Sequence, residues 1–372
     1  MIKIELSKEV KKDVENRHWS WFDNRSQKKF KHSTETYKDF ICKKLNLNWG
    51  NIECLIKGDF AELQKFKARL GKICRENVPS KVDGESEETY KRRIKPIEIN
   101  NNEYEKLMTA FGYDNFCESK NKDAEKVWNA YEFCKKIGVN VCVYCNRQYI
   151  YTVGNVYNKI DRPEIDHFFP KSDYPYLSCS LYNFIPSCHT CNHGKRDFGE
   201  GILYPYEDEF GKDYPFRVRF STDSTESTNL ISIENVDIYI SKPNCKNKSV
   251  NYSICNKCLS VNESKKTFHL EKIYNKHKLD LKDLLMRYRN YNAPKIDDIL
   301  NVFLDAEMPD AQISKDDKEK ILQFYAKKMK KVFLGLPVGY EKKQYPLRKF
   351  KEDIIEQLDK MKSLMNEEQK QG

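Results

Sequence analysis

The chain has 372 residues, of which 39% are hydrophobic and 33% are charged, and its formal net charge is +10. This length allows two or three domains with a sizeable core, and the basic excess suits a polyanionic partner, although a solvated basic surface gives the same balance. The sequence has no apolar run of about 18 residues, and its first residues are charged throughout. It therefore predicts no membrane span, no secretory leader and a cytoplasmic location.

The cysteines form a pattern that bears on metal binding. The chain has thirteen of them, and an odd number in a chain without an export signal argues against a disulfide framework. Six fall in three Cys-x-x-Cys pairs, at 142/145, 188/191 and 255/258. In a reducing compartment such pairs bind metal or carry out redox chemistry.

Residues 1–138 are predicted to be mostly helical. Near their end, Val127, Tyr131 and Cys134 recur at helical spacing, and Gly138 supplies a C-terminal stop. We therefore expect an N-terminal helical region that ends at this glycine.

Residues 139–215 change character and are predicted to form a small β-containing module. Runs rich in Val, Ile and Tyr lie on both sides of Gly154 and Asn155, which predicts a hairpin with a tight turn. The other elements predicted here are strands over 164–169 and 181–186 and a turn entering a helix over 188–198.

Residues 216–260 are predicted to form a β-rich, cysteine-containing insertion, with two strands in 217–240 joined by a loop rich in Ser and Thr. Residues 261–372 return to a helical pattern. The sequence therefore predicts an α+β fold, in which a central β-containing module is flanked by mostly α-helical regions.

The first two cysteine pairs predict a structural zinc site. Cys142 with Cys145, and Cys188 with Cys191, can each face one ion from a tight turn, and two such turns complete a tetrahedral site. The site would join pieces of chain that are separated by 42 intervening residues. The alternatives are unligated buried cysteines and a redox pair, but a redox pair normally opens a helix after a strand, and that context is missing.

The third pair leaves a second zinc site open. Cys255 and Cys258 have Cys245 upstream and His269 downstream, which together could supply four ligands. Free thiols on a loop are the alternative.

Between the first two pairs lies the segment "EIDHFFPKS", residues 164–172, in which Asp166 and His167 are adjacent. The ordered set of C-x2-C, "DHFFP", Asn183 and "CHTCNHGK" covers about 60 of the 372 residues. This set resembles the HNH endonucleases, the zinc-bearing branch of the His-Me finger (ββα-metal) nucleases. The resemblance implies that the central module is a ββα-metal HNH module with a structural zinc.

The resemblance also implies roles for single residues in the metal-dependent hydrolysis of nucleic acid, with DNA expected as the substrate and RNA left open. His167 would activate the attacking water, which suits a side chain that titrates near neutral pH. Asp166 and Asn192 would hold Mg²⁺ or Mn²⁺, and oxygen ligands are what Mg²⁺ prefers. Asn183 would tie the loop between the strands by hydrogen bonds to its backbone. The products would carry 5′-phosphate and 3′-hydroxyl ends.

Substrate contacts are predicted at several basic positions. Lys195 and Arg196 follow Asn192 by about one helical turn and could clamp a flanking phosphate, although a solvated face is the usual role of such a pair. Residues 24–44 and 327–349 combine basic and aromatic side chains, which could contact phosphates and stack on bases. Amphipathic surface segments or a protein-docking face would give the same pattern.

Three further polar residues lie near the motif. Glu164 would share a face with Asp166 on a regular strand, and it could hold the metal ligands in place without binding the ion itself. His189 lies within the second cysteine pair and His193 follows it. Both could join the active site, but exposed histidines on a polar turn are commoner.

The flanking regions, and "FHLEKIYNKH" after the motif, are similar to HNH subunits of bacterial anti-phage systems such as the Septu nuclease subunit. This similarity implies an antiviral role and an ATPase or sensor protein as partner. Two alternatives to an independent nuclease remain: a subunit that is inactive until a partner activates it, and a catalytically silent zinc module that binds nucleic acid.

Overall fold

The computed structural model divides the chain into two compact units, Met1–Glu209 and Phe210–Gly372. The first unit contains the predicted N-terminal helical region and most of the predicted central module. The residues that the structure describes are 1–118, 128–155, 158–196, 201–220, 236–241, 256–291, 295–296, 298–299, 302, 315–339 and 342–371.

In the described part of the first unit, seven helices precede the strands. Most begin after a side chain that accepts a hydrogen bond from the first turn, as Ser7 and Thr36 do, which satisfies backbone groups at the helix start. Gly138 ends the last of them with a left-handed φ of 65°, as its sequence position predicts. The helices are α1 Lys8–Ser26, α2 Tyr37–Leu45, α3 Trp49–Lys57, α4 Phe60–Leu70, α5 Glu87–Phe111, α6 Tyr113–Glu118 and α7 Ala130–Ile137.

Two antiparallel strand pairs follow. The short strands β1 (Val153–Gly154) and β2 (Lys159–Asp161) form the hairpin predicted around Gly154. Strand β3 (Glu164–His167) pairs with β4 (Phe184–Ser187), and helix α8 (His189–Lys195) packs against β3. The order along the chain is thus strand, strand, helix, and β3 contacts both β4 and α8.

The second strand of this module begins later in the structure than the sequence predicts. The sequence predicts a strand over 181–186, but Leu181–Asn183 form a 3-10 helix and β4 begins at Phe184. The hydrogen bonds of the buried Asn183 side chain explain the difference, because they hold this turn against the loop that precedes it.

Aromatic packing joins the N-terminal helices to these strands. The ring of Phe184 on β4 lies 5.4 Å from Phe116 of α6, 5.6 Å from Phe133 of α7 and 5.7 Å from His18 of α1. All four residues are buried, so the helices and the strand pair share one core. This shared core is why the predicted boundary after residue 138 does not separate two units.

The second unit also mixes strands with helices. Strands β5 (Phe216–Phe220) and β6 (Val236–Ile240) pair antiparallel. A buried ion pair joins Lys349 to Asp353, and Asp353 also accepts a hydrogen bond from the Phe216 amide. The helices are α9 Asn256–Thr267, α10 Leu270–Tyr274, α11 Lys278–Asn290, α12 Lys315–Phe333 and α13 Arg348–Gln371.

Helices and small antiparallel sheets together make an α+β fold, which confirms the predicted class. Within the described ranges, every helix is too short or too polar to cross a membrane.

Candidate metal centre and active site

Four cysteine side chains meet at one buried point. The Sγ atoms of Cys142, Cys145, Cys188 and Cys191 all lie within 4.8 Å of one another. Four thiolates at this separation match the donor set of a structural zinc ion. The cluster therefore fits zinc, and it is the one such group among the residues that the structure describes.

Two tight turns bring the sulfur atoms together. Asn146 follows the first pair with a left-handed φ of 50°, and its amide donates to the Cys142 carbonyl at 2.7 Å. Cys188 is the N-cap of α8, so the second pair lies on the first turn of that helix. Hydrogen bonds from the other thiols, that of Cys142 first, hold the pKa of Cys145 well below its ordinary value, while hydrogen bonds within the same cluster raise the pKa of Cys191. The cluster therefore favours the thiolate form of Cys145, and a bound cation would favour that form at the other three cysteines.

Asp166 lies on β3 with a buried carboxylate. The Tyr144 hydroxyl donates to Asp166 Oδ2 at 2.6 Å, and the ammonium group of Lys195 donates to Oδ1 at 3.1 Å. Lys195 is fully buried and also donates to the His167 carbonyl oxygen at 2.7 Å. Burial raises the pKa of Asp166 above its ordinary value, while Lys195 and Tyr144 oppose that rise. Asp166 is therefore one half of a buried ion pair.

Glu164 lies on the same face of β3 as Asp166, two residues earlier. Asn192 Nδ2 donates to Glu164 Oε2 at 2.7 Å, and His189 Nδ1 lies 2.6 Å from Oε1. The His193 ring lies beside that of His189, with 4.1 Å between the centroids. The Glu164 side chain is 37% exposed, so this cluster forms the solvent-facing end of the face.

His167 ends β3, and its ring contacts a different part of the protein from Asp166. Its ring packs edge-on against Tyr113 and Phe184, at centroid distances of 4.4 and 5.6 Å. His167 Nε2 lies 3.0 Å from the Ser178 carbonyl oxygen, so Nε2 carries the proton and Nδ1 keeps its lone pair. Burial lowers the pKa of His167 to about 3, and the ring is therefore neutral at pH 7.

Asn183 joins the two ends of the loop between β3 and β4. Its Oδ1 accepts from the Phe169 amide at 2.7 Å, and its Nδ2 donates to the carbonyls of Phe169 at 3.0 Å and Leu177 at 2.9 Å. Because Leu177 precedes Ser178, these bonds also hold the carbonyl that orients His167.

The residues predicted to hold Mg²⁺ supply donor atoms of a suitable kind. Oxygen atoms of Glu164, Asp166 and Asn192 belong to one face of β3 and the helix that covers it, and Mg²⁺ prefers such hard donors. An ion at Asp166 would share that carboxylate with the Lys195 ammonium group. Glu164 is the carboxylate of this set that reaches solvent.

The two residues of the predicted phosphate clamp lie in different surroundings. Lys195 points inward and neutralises the buried Asp166, so its ammonium group is not on a surface that a phosphate can reach. Arg196 is exposed at the end of α8, and its contact with a phosphate stays a prediction.

The basic segment 24–44 packs several of its aromatic rings on one another. Phe30 packs on Tyr37 and Phe40, with centroids 4.8 and 5.2 Å away, and Arg25 is buried against backbone carbonyls of α5. These rings contribute to local packing, and Phe30 and Tyr37 are half-buried, so base stacking by this segment stays a prediction. Basic side chains that remain exposed here are Lys28, Lys29, Lys31, Lys43 and Lys44.

The third cysteine pair gives no metal group within the described part of the chain. Cys245 and Cys255 lie outside the described residues. Cys258 is half-buried and accepts a hydrogen bond from the Tyr214 hydroxyl at 3.0 Å, and His269 is exposed.

Tyr144 is the site residue that sequence reasoning missed. Its position carries a signal, because it lies between Cys142 and Cys145 and so belongs to the turn that the cluster holds. Nothing in the spacing shows which way its side chain points, and only the fold brings its hydroxyl to Asp166.

No protein-family model, curated protein or solved structure matches the chain. The resemblance to HNH endonucleases therefore depends on the sequence motifs around the four cysteines alone.

Proposed function

We propose that this protein is a metal-dependent endonuclease of the HNH type that hydrolyses phosphodiester bonds in DNA. The observation that carries the proposal is the adjacent pair Asp166 and His167 at the end of β3, a strand packed against the helix that carries Cys191. The order of β3, β4 and α8 supports a ββα-metal module in which a hairpin and a helix hold the reacting groups.

His167 is the proposed general base. The neutral ring has an unprotonated Nδ1, which can accept the proton of an attacking water. The Ser178 carbonyl holds the ring in this tautomer and stabilises the positive charge that forms. An anionic phosphate that approaches the ring raises its low pKa, because a nearby negative charge favours the imidazolium.

Asp166 and Asn192 are the proposed ligands of Mg²⁺ or Mn²⁺, an ion that when bound would neutralise charge on the phosphate and on the leaving oxygen. Lys195 favours the ionised form of the buried Asp166, because its ammonium group opposes the effect of burial. Zinc in the cysteine cluster would be structural, since four thiolates leave no open position for a substrate.

Nicking of supercoiled plasmid with Mg²⁺ or Mn²⁺ tests this proposal. His167→Ala should lose at least about 100-fold in cleavage rate, the range that general base catalysis contributes. His32→Asn, which changes an exposed histidine of the same unit, should cut like the wild type. Equal cleavage by His167→Ala and the wild type would contradict the assigned base. Binding of DNA without cleavage, by a folded zinc-loaded protein, would favour the silent zinc module.

A partner-gated nuclease subunit is a second proposal, and the low exposure of the site favours it. Asp166 is 4% and His167 8% exposed, so groups such as Tyr113 must move before a phosphate can reach them. An ATPase or sensor protein could drive that opening. Co-expression with genomic neighbours should then yield a complex that cuts DNA, and the His167→Ala complex should not cut. If the system is antiviral, the same substitution should abolish protection in a phage plating assay.

A further inference from the structure

The segment after the first cysteine turn exposes two stacked tyrosine rings. Tyr149 and Tyr151 are each 45% exposed, and their ring centroids lie 4.7 Å apart with 18° between the planes. Ile150 between them is buried. Side chains alternate across extended backbone, so Tyr149, Tyr151 and the exposed Val153 share one side while Ile150 anchors the other.

Adjacent exposed aromatic and apolar side chains mark a binding surface more often than scattered ones do. The rings of the basic segment 24–44 pack on one another, as described above. Tyr149 and Tyr151 instead present much of their surface to solvent. An exposed tyrosine ring of this kind can stack on another planar group.

One end of this segment is joined to the cysteine cluster, and the other end is paired with the strand that precedes β3. The Cys142 amide donates to the Gln148 carbonyl at 3.0 Å, which fixes the start of the segment to the cysteine turn. At the other end Val153 pairs with Asp161. Asp161 lies five residues before Asp166, a distance of at most ~18 Å along extended chain. Once groups such as Tyr113 have moved, a strand of nucleic acid could therefore contact the tyrosines and the reacting groups together.

We propose that Tyr149 and Tyr151 form a stacking platform for unpaired nucleobases, and that the preferred substrate is single-stranded or locally unpaired DNA. The inference rests on the proposed function for its substrate. Every base has an aromatic face that stacks on tyrosine, whereas pairing within a duplex hides that face. Removing such an aromatic side chain weakens binding by about 5- to 150-fold per base. The net charge of +10 suits the phosphate backbone of the same strand.

A single strand that carries 2-aminopurine tests the platform, because stacking quenches its fluorescence whether or not the strand is cut. Titrations are made without Mg²⁺ or Mn²⁺, so the strand stays intact and the zinc cluster is not stripped by a chelator. We expect the double variant Tyr149→Ala/Tyr151→Ala to bind at least about tenfold more weakly, with little quenching. Tyr149→Phe/Tyr151→Phe keeps both rings and should bind like the wild type. Tyr325→Ala removes a tyrosine of 48% exposure in the other unit and should have no effect.

Equal binding of the single strand by the double alanine variant and the wild type would overturn the platform. An equally large loss in the double phenylalanine variant would also overturn it, because that result would assign the binding to the hydroxyls. Capture of a protein through these tyrosines, without affinity for single strands, would assign the surface to that protein. Absence of cleavage of both plasmid and single strands with Mg²⁺ or Mn²⁺, by the protein alone and in complex with its partner, would remove the nuclease. Intact quenching in the same protein would keep the platform, so the two proposals fail separately.

Discussion

The Tyr144 hydroxyl donates to Asp166 Oδ2 at 2.6 Å, and this bond joins the cysteine cluster to the carboxylate of the proposed active site. Both groups are buried, so water does not replace either partner. Because Tyr144 lies between Cys142 and Cys145, a metal bound there would fix the backbone that carries the hydroxyl. The cluster therefore sets the position of Asp166 as well as holding distant parts of the chain together.

Tyr144→Phe should separate this role from zinc binding. The change removes one oxygen atom and leaves the buried Asp166 with one donor fewer, and hydrogen bonds to charged groups contribute about 1.5–3 kcal/mol to stability. We expect plasmid nicking to fall at least about tenfold while the zinc content stays at the wild-type level. Tyr176→Phe is the matched control, since that buried hydroxyl donates to the Gly71 carbonyl instead. Unchanged nicking in Tyr144→Phe would refute the coupling.

Lys195→Met should destabilise the protein strongly. The substitution leaves the carboxylate of Asp166 buried without its cation, and breaking a buried pair in this way costs about 3–5 kcal/mol. Urea unfolding measures the loss. The double variant Asp166→Asn/Lys195→Met carries no unpaired charge and should recover part of it. Lys171→Met, at a side chain 40% exposed, should change the unfolding free energy by less than about 1 kcal/mol. A small effect of Lys195→Met would argue against the inward position of this lysine.

Local patterns predicted the parts of this site that depend on neighbouring residues. Cys-x-x-Cys spacing requires only a tight turn, and Gly138 requires only a left-handed residue after a helix, so both could be inferred from the sequence. The α+β class follows from the same local periodicities.

Contacts between distant residues could not be inferred in this way. Lys195 and Asp166 are 29 residues apart, and a basic residue after a helix gives no sign that it will turn inward. The sequence likewise does not show whether the ring of Phe30 packs inward or stays exposed, because its packing on Tyr37 and Phe40 depends on the turn between them. Tertiary packing decides which basic and aromatic side chains remain exposed.

If the four-cysteine cluster binds zinc as proposed, removing one cysteine should change the metal content. Cys145→Ser removes one of four thiolates, and a site with three ligands binds zinc far more weakly. We expect the variant to lose one zinc ion per chain, measured by atomic emission, and to unfold at a lower temperature. Cys258→Ser changes a half-buried cysteine outside the cluster and should keep that ion. Retention of zinc by Cys145→Ser would show that the cluster is not the site.

His18 should make the stability depend on pH. Its Nε2 donates to the Cys179 carbonyl at 2.8 Å, and its Nδ1 accepts from Trp128 at 2.9 Å, so both nitrogens are used by a neutral ring. Burial lowers the pKa of His18 to about 4 from 6.5. Between these values the unfolded chain binds one more proton than the folded protein. The stabilisation is therefore complete above pH 6.5 and falls by about 3 kcal/mol as the pH drops to 4.

Urea unfolding of wild type and His18→Gln across this pH range, at one zinc concentration, tests the assignment. His18→Gln lacks the titrating group, so its unfolding free energy should be lower at pH 7. On acidification its unfolding free energy should decline less steeply, because its unfolding takes up about one proton fewer than that of the wild type. His32→Gln, at an exposed histidine, should follow the wild-type slope. Loss of zinc in acid affects all three proteins alike, so the comparison depends on the difference between slopes. Identical slopes for wild type and His18→Gln would mean that His18 is not held neutral in the core.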